Sequence, residues 1–150
     1  MQNKNRGAAM VEFALVVPFF FMLMMSIIYG ALVMHDINSL NELTRAAVRY
    51  GAVQASGIDE ASKKEAIIQY IKDNGNDSMV LYKIQYATGI TVDSNLDVKL
   101  GNDSSDAQTE KAVSVTVTAK MVDDMPKLFM DYFPADLKNI SSTLTMRRED

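Results

Sequence analysis

The distribution of apolar residues divides this chain into a long hydrophobic run and a polar remainder. From Phe13 to Met34 the sequence reads FALVVPFFFMLMMSIIYGALVM, which is 22 residues without a charged side chain. As a helix, the run would extend roughly 33 Å at about 1.5 Å per residue, enough to cross a bilayer. Secretory signal peptides have a shorter apolar core, of about 7–15 residues, and then a small-x-small cleavage site. Because no good site of that kind follows Ser26, the run predicts a retained transmembrane helix.

The charges that flank the run indicate its orientation. Lys4 and Arg6 precede it, whereas His35 and Asp36 follow it. The positive-inside rule therefore leaves the N-terminus in the cytoplasm and places residues 35–150 outside.

Two small residues in the run form a candidate helix-packing site. Ser26 and Gly30 lie one helical turn apart, and a small-xxx-small pair permits close approach of another helix. Such a pair also arises by chance in an apolar run, so the pattern by itself leaves both interpretations open.

A carboxylate interrupts the start of the apolar segment. Glu12 lies five residues after Gly7 in the sequence RGAAMVEF, and Gly7 closes a short basic leader. An unpaired carboxylate at the edge of a bilayer costs on the order of a few kcal/mol, so a partner or a functional reason is expected. Cleavage between Gly7 and Ala8 would create an ammonium on Ala8 and make Glu12 residue five of the mature chain. Alternatively, Glu12 lies at the lipid interface in the first helical turn, where a carboxylate suits the helix dipole.

These residues resemble type IV prepilins and, more specifically, TadE-like proteins, the pseudopilins of the tight-adherence (Tad, or Flp pilus) machinery. The similarity extends from the RG leader end through VEFALVVP and the apolar run to RAAVRYGA at residues 45–52. Phe13 follows Glu12 where the major pilins of this system typically have Tyr. About 100 residues also follow the membrane segment, and both features favour a minor, TadE-like component over a major subunit.

The resemblance implies a processing step and a set of partners. It implies cleavage after Gly7 by the prepilin peptidase, and pairing of Glu12 with the N-terminal ammonium of a neighbouring subunit, which would set the axial register. The implied partners are that peptidase, other pilins or pseudopilins through the N-terminal helix, the Tad assembly machinery and the lipid bilayer. The implied location is the bacterial cytoplasmic (inner) membrane, with a single pass, and the protein could also enter a pilus.

Past the membrane segment, the spacing of the apolar residues first predicts two helices. Apolar residues recur at steps of three or four and predict an amphipathic helix that continues the membrane helix to about Ala55; they are Ile37, Leu40, Leu43, Ala47 and Tyr50. A second helix is expected through Asp73, with Asp59 as its N-cap and Asn74-Gly75 at its end.

The period then changes to two, which predicts antiparallel strands. The alternating positions are Val80, Tyr82, Ile84 and Tyr86; Ile90 and Val92; Leu96, Val98 and Leu100; Val113, Val115, Val117, Ala119 and Met121; and the segment from Ile140 to Met146. Residues 101–110 are polar and predict a flexible hairpin loop, and a short helix or turn is expected around Met125 to Tyr132.

The predicted organisation is a prepilin leader at residues 1–7, a transmembrane helix at 8–34 and an extracytoplasmic head at 35–150. The expected fold class is α+β, with a long N-terminal transmembrane and amphipathic helix as a pilin-like rod and a small antiparallel sheet packed on its outer half.

The composition argues against several classes of chemistry. The 150 residues include no Cys, no Trp and one His, so a catalytic triad or a His-based zinc site would depend on His35 alone. The net charge of −4 and the scattered basic residues argue against nucleic-acid binding. Asp93, Asn95 and Asp97 match the opening of a calcium loop, but Val98 stands where that loop needs Gly. We therefore predict a protein that is not an enzyme and has no catalytic residues, metal site or cofactor.

Three hypotheses follow for function. The first is a minor pseudopilin that acts in assembly of a Tad/Flp pilus. The second is a single-pass, membrane-anchored binding or sensory module, for which Gly7 and Glu12 would be dispensable. The third is a secreted hydrolase behind a signal peptide, which predicts loss of the whole apolar segment from the mature chain.

Overall fold

The fold combines one long helix, one short helix and a four-stranded sheet. The computed structural model describes residues 3–53, 58–75, 78–100, 108–122 and 137–148. Internal contacts divide the chain into two units, Met1–His35 and Asp36–Asp150. The predicted α+β class, with a long N-terminal apolar helix and a small antiparallel sheet, is confirmed.

The first helix, α1, is continuous over Asn3–Val53, which is 51 residues. Its apolar half is rich in Leu, Met and Ala, which are favourable in helices. Pro18 lies inside α1, where its ring removes one backbone donor, and the helix continues past it. The predicted continuation of the apolar helix into a polar one is confirmed as far as Val53, and Ala55 lies outside the described residues.

In the second unit, one face of α1 is buried. The buried positions are Asp36, Leu40, Leu43, Thr44, Ala47, Val48, Gly51 and Ala52. The predicted stripe was therefore correct in its centre and wrong at its ends, since Ile37 is only half-buried and Tyr50 is 41% exposed. Tyr50 instead stacks on Tyr70 of the next helix, with ring centroids 5.0 Å apart.

The second helix, α2, spans Glu60–Asn74 and buries Lys63, Ile67 and Ile71. Asp59 occupies the predicted N-cap position, but its side chain makes no capping hydrogen bond. Gly75 follows the helix in a right-handed conformation, so the left-handed ending that Asn-Gly suggests does not occur. Gly75 is instead packed closely against Ile71 and Ile84.

The sheet comprises β1 (Tyr82–Ile84), β2 (Ile90–Leu100), β3 (Gln108–Met121) and β4 (Asn139–Arg147). All pairings are antiparallel, and β3 is central. β4 pairs along one side of β3, while β1 and β2 pair end to end along its other side. A turn at residues 85–89 joins β1 to β2 and remains attached to β3, because Gln85 N donates to Thr118 O and Thr118 N donates to Gly89 O.

The pairing of β2 with β3 shifts its register once, at a bulge in β2. Ile90 and Val92 pair with Val117 and Val115, but the register shifts between Asp93 and Leu96. Beyond that shift Leu96 pairs with Ala112, which lies on the opposite face of β3. The two apolar segments predicted here therefore form one strand with a register shift between them.

Three predictions in the head need correction or lie outside the structure. β1 is shorter than predicted: Val80 precedes it and is 60% exposed, and Tyr86 lies in the turn. Residues 108–110, predicted as loop, belong to β3, and the rest of that predicted loop is outside the described residues. The segment Met125 to Tyr132 also lies outside them.

Candidate functional site

The residues predicted for processing all lie near the start of α1. Gly7, Ala8, Glu12 and Phe13 are helical and exposed. Apart from the backbone of the helix itself and the neighbouring residues, no atom lies within 4 Å of where a Cβ on Gly7 would be, so there is open space beside this position. Ala8 and Glu12 are four residues apart and therefore share one face of the helix.

Glu12 is a carboxylate among exposed apolar neighbours. Met10 is 77% exposed and Phe13 is 71% exposed. Within the part of the chain that the structure describes, Glu12 makes no ion pair or hydrogen bond. The apolar neighbours would favour a low-dielectric surrounding, where a carboxylate without a partner is costly.

The predicted packing pair lies farther along the same helix. Ser26 and Gly30 are both exposed and one turn apart. A Cβ on Gly30 would meet no atom within 4 Å, so this position has open space beside it. The two sets of predicted residues occupy different turns of α1 and do not form one cluster.

The surface of the first unit is apolar over most of its length. Most large apolar side chains from Met10 to Ile28 are exposed, and the rings of Phe20 and Phe21 meet edge to face with centroids 6.1 Å apart. Soluble monomers rarely expose a continuous apolar patch of more than a few hundred Å². α1 is also long and apolar enough to cross a membrane, by length and composition.

Sequence reasoning missed a buried carboxylate at the start of the second unit. Asp36 is fully buried, and its Oδ2 accepts hydrogen bonds from the backbone N–H groups of Val80, Leu81 and Tyr82 at 3.1, 2.6 and 3.0 Å. Asp36 stands four residues before Leu40 on the buried face of α1. An acid at a core position of a helical stripe was the signal that could have revealed it.

The side chain of Tyr82 connects β1 with the segment that precedes β4. Its hydroxyl donates to the carbonyl oxygen of Leu137 at 2.6 Å. Burial raises the pKa of the Tyr82 hydroxyl above its ordinary value of 10.0, and the negative charge of Asp36 raises it further. These contacts join α1, β1 and the segment before β4.

A shallow cleft lies beside β1. It has a volume of about 310 Å³ and is lined by Gly75, Met79, Val80, Tyr82, Lys83, Ile84 and Val122. Lys83 is the charged residue among those that line the cleft. The aspartates considered for calcium are otherwise engaged: Asp93 accepts a hydrogen bond from the N–H of Asn95, and Asp97 pairs with Lys111 at 2.7 Å.

Comparison with known protein families finds a similarity within α1. Residues 7–49 match the model of the TadE-like protein family. This segment is TadE-like. A search of the curated proteins and of the solved structures gave no significant match.

The TadE-like match indicates a Tad pilus-associated, membrane-anchored protein. The matched segment begins at Gly7 and contains Glu12, Ser26 and Gly30, as well as Asp36. It ends before α2, so the match does not include α2 or the sheet. The resemblance found in the sequence is confirmed for this segment.

Proposed function

We propose that this chain is a minor pseudopilin that acts in assembly of a Tad/Flp pilus. The observation that carries the proposal is Glu12, an exposed carboxylate in the apolar part of α1, without an ion pair or hydrogen bond among the described residues. It stands five residues after Gly7, where the TadE-like match begins.

In this proposal, prepilin peptidase hydrolyses the peptide bond between Gly7 and Ala8. The leader leaves with a carboxylate on Gly7, and the mature chain begins with an ammonium on Ala8. Glu12 of one subunit then pairs with the Ala8 ammonium of a neighbour, which neutralises both charges in a low-dielectric bundle. A separation of four helical residues corresponds to an axial offset of about 6 Å between the two helices.

The proposal also includes a membrane arrangement. Residues 1–7 form the leader, residues 8–34 cross the cytoplasmic membrane, and residues 35–150 lie outside. The Ser26 and Gly30 face meets other pilin or pseudopilin helices, and the Tad assembly machinery receives the processed chain. The basic leader supports this orientation.

The N-terminus and intact mass of the membrane-extracted protein test the processing step. We expect a mature chain that begins at Ala8 in cells with the prepilin peptidase and at Met1 in cells without it. A chain that begins at Met1 in both would favour the alternative, a membrane-anchored binding or sensory module. Loss of the entire apolar segment would indicate a cleaved signal peptide instead.

Glu12 has a separate test, because its proposed role follows cleavage. Glu12→Gln keeps the shape and removes the charge, so we expect normal cleavage after Gly7 and reduced pilus assembly, measured by the quantity of sheared pili. Glu42→Gln, at an exposed position of the same helix, is the matched control and should assemble normally. Normal piliation of the Glu12→Gln variant would contradict the proposed pairing of Glu12 with the Ala8 ammonium of a neighbour.

A further inference from the structure

The two outer strands of the sheet differ in how they are protected against pairing with another chain. An open strand edge presents unpaired backbone N–H and C=O groups, and folded proteins protect such edges with charges, bulges or a covering helix. β2 has all three devices. It carries Asp93 and Asp97, and its register shifts at the bulge that follows Asp93. α2 contacts it, and Ser94 Oγ of β2 donates to Glu60 Oε2 of α2 at 3.2 Å.

β4, on the other side of β3, lacks these devices. Asn139–Arg147 contains no Pro and only one charged residue, Arg147, whose guanidinium pairs with Glu110 Oε1 of β3 at 2.6 Å. The pairing of β4 with β3 is regular over its whole length, without a register shift. Within the described ranges, β3 is the only strand that pairs with β4.

This regular register determines which backbone groups of β4 point away from β3. At one end of the ladder, Met121 N donates to Lys138 O. At the other end, Arg148 N donates to Lys111 O. Because hydrogen-bonded pairs alternate along an antiparallel ladder, the even-numbered residues of β4 bond to β3 and the odd-numbered residues present their N–H and C=O groups outward. The outward set, all of whose members are exposed, is Asn139, Ser141, Thr143, Thr145 and Arg147.

We propose that the outer edge of β4 pairs with the same edge of a second copy of this chain, antiparallel and about a two-fold axis at Thr143. In this register Thr143 lies opposite Thr143 of the second copy, and the five outward residues of each copy meet each other. They would form about ten main-chain hydrogen bonds. The inference does not depend on cleavage, membrane insertion or pilus assembly.

The hydroxyl side chains of β4 suit this register. Ser141 lies opposite Thr145 of the second copy, and pairs of hydroxyl residues stabilise antiparallel strands. β4 already makes pairs of this kind with β3. Thr143 Oγ1 lies 2.9 Å from Thr116 Oγ1, and Thr145 Oγ1 donates to Ser114 Oγ at 3.1 Å. A second copy would extend these rows of hydroxyl groups across the joined sheet.

The remaining side chains favour a second copy in the antiparallel direction. Met146 is 42% exposed, and in this register it lies opposite Ile140 of the second copy, in a non-hydrogen-bonded pair where side chains approach most closely. Arg147 lies opposite Asn139, so no like charges meet. Parallel pairing would instead place Arg147 beside Arg147, which is unfavourable.

A single pair of strand edges forms a small interface. The nine residues of β4 extend about 30 Å, and a sheet is about 10 Å thick, so each copy contributes roughly 300 Å². Stable complexes bury about 1,200–2,000 Å² in total. We therefore expect a weak dimer that has to be trapped covalently to be detected.

The absence of native cysteine permits disulfide trapping at single positions. Thr143→Cys, Ser141→Cys and Thr145→Cys are matched variants, since all three positions are exposed on the same strand. The Cα atoms of a hydrogen-bonded antiparallel pair lie about 5.5 Å apart, a distance that a disulfide can bridge. Position 141 of one copy, by contrast, would lie about 14 Å along the strand from position 141 of the other.

We expect mild oxidation of the full-length protein in detergent to cross-link Thr143→Cys with itself, which doubles the intact mass. Ser141→Cys and Thr145→Cys should each stay monomeric when oxidised alone, whereas a mixture of the two should cross-link. Equal cross-linking of all three single variants would indicate parallel pairing or random collision. Either that result or the absence of a cross-link at position 143 would overturn the proposal.

A lysine at the centre of the edge provides a second test. Thr143→Lys, added to both members of the mixed pair, places two ammonium groups opposite each other and should abolish the cross-link between positions 141 and 145. Thr91→Lys, at an exposed position of β2, is the matched control and should leave the cross-link unchanged. Circular dichroism of each variant checks that the head remains folded. A cross-link that persists with Thr143→Lys would overturn the proposal.

Discussion

Asp36 holds a part of the fold that has little other backbone pairing. β1 has only three residues, and the N–H groups of Val80 and Leu81 precede it. The Asp36 carboxylate accepts from both groups and from Tyr82 N–H, in place of a carbonyl from another strand. A hydrogen bond to a charged group contributes about 1.5–3 kcal/mol, and burial makes an unpaired amide costly.

Replacing Asp36 should therefore destabilise the second unit. We expect Asp36→Ala to lower the free energy of unfolding by about 3 kcal/mol or more, because it leaves buried amides without an acceptor. This change is measured by unfolding the full chain with urea in detergent, with the circular dichroism signal of the tyrosines as the readout. Asp59→Ala is the control and should change stability by under about 0.5 kcal/mol, since Asp59 makes no capping hydrogen bond. Similar losses for both variants would contradict this role of Asp36.

Tyr82 makes the stability of the same region depend on pH. Its pKa is raised above 10.0 by burial and then by Asp36, so the folded protein keeps a proton that the unfolded chain loses near pH 10. The resulting contribution to stability is complete below about pH 10 and decreases as pH rises further. Tyr82→Phe should remove this decrease and cost about 1 kcal/mol at neutral pH, through loss of the hydrogen bond to Leu137. Unfolding midpoints of both proteins from neutral to alkaline pH measure the difference, and parallel curves would contradict the assignment.

At the level of elements, two glycines set how closely the helices and the sheet approach. A Cβ on Gly75 would lie 2.5 Å from the carbonyl oxygen of Ile71 and 2.7 Å from Cδ1 of Ile84. A Cβ on Gly51 would lie 2.5 Å from Cδ1 of Ile67, the mobile end of a side chain, and 3.2 Å from Val113. Backbone cannot move aside as easily as a terminal methyl group.

The two glycines should therefore respond differently to alanine. We expect Gly75→Ala to cost about 1–3 kcal/mol, the usual range for overpacking. Gly51→Ala should stay within about 1 kcal/mol of the parent, because the gain in helix propensity offsets the shift of Ile67. Unfolding of both variants in urea gives the comparison, and an equal or larger loss at Gly51 would contradict it.

The same elements show what a sequence can and cannot predict. Periodicity predicted the part of α1 in the second unit, α2 and the central strand β3 because each buries one apolar face. It could not predict the bulge after Asp93, since an extra residue in β2 has meaning only against the register of β3. Asp36 was missed for a related reason: its acceptor role depends on amides more than 40 residues away. Gly7 and Glu12 could be proposed from the sequence because their pattern is local.

For the whole molecule, the boundary of the TadE-like match separates two kinds of role. The match covers most of α1, which carries the proposed cleavage, pairing and packing residues. The rest of the second unit folds around the last third of that helix through Asp36, Gly51 and the buried apolar stripe. Substitutions in the first unit should therefore affect assembly without unfolding the head, whereas substitutions at Asp36 should affect both.

Gly30 offers a direct test of this division. No atom lies within 4 Å of a Cβ at Gly30, and Leu is favourable in helices, so Gly30→Leu should leave folding and membrane insertion unchanged. It should reduce association with other helices at least severalfold, since a large side chain prevents close approach across the Ser26 and Gly30 face. Energy transfer between labelled copies in vesicles measures association, and head stability in urea measures folding. Ala31→Leu adds bulk at the next exposed position and should have little effect. Equal association of the two variants would place helix contacts on another face of α1.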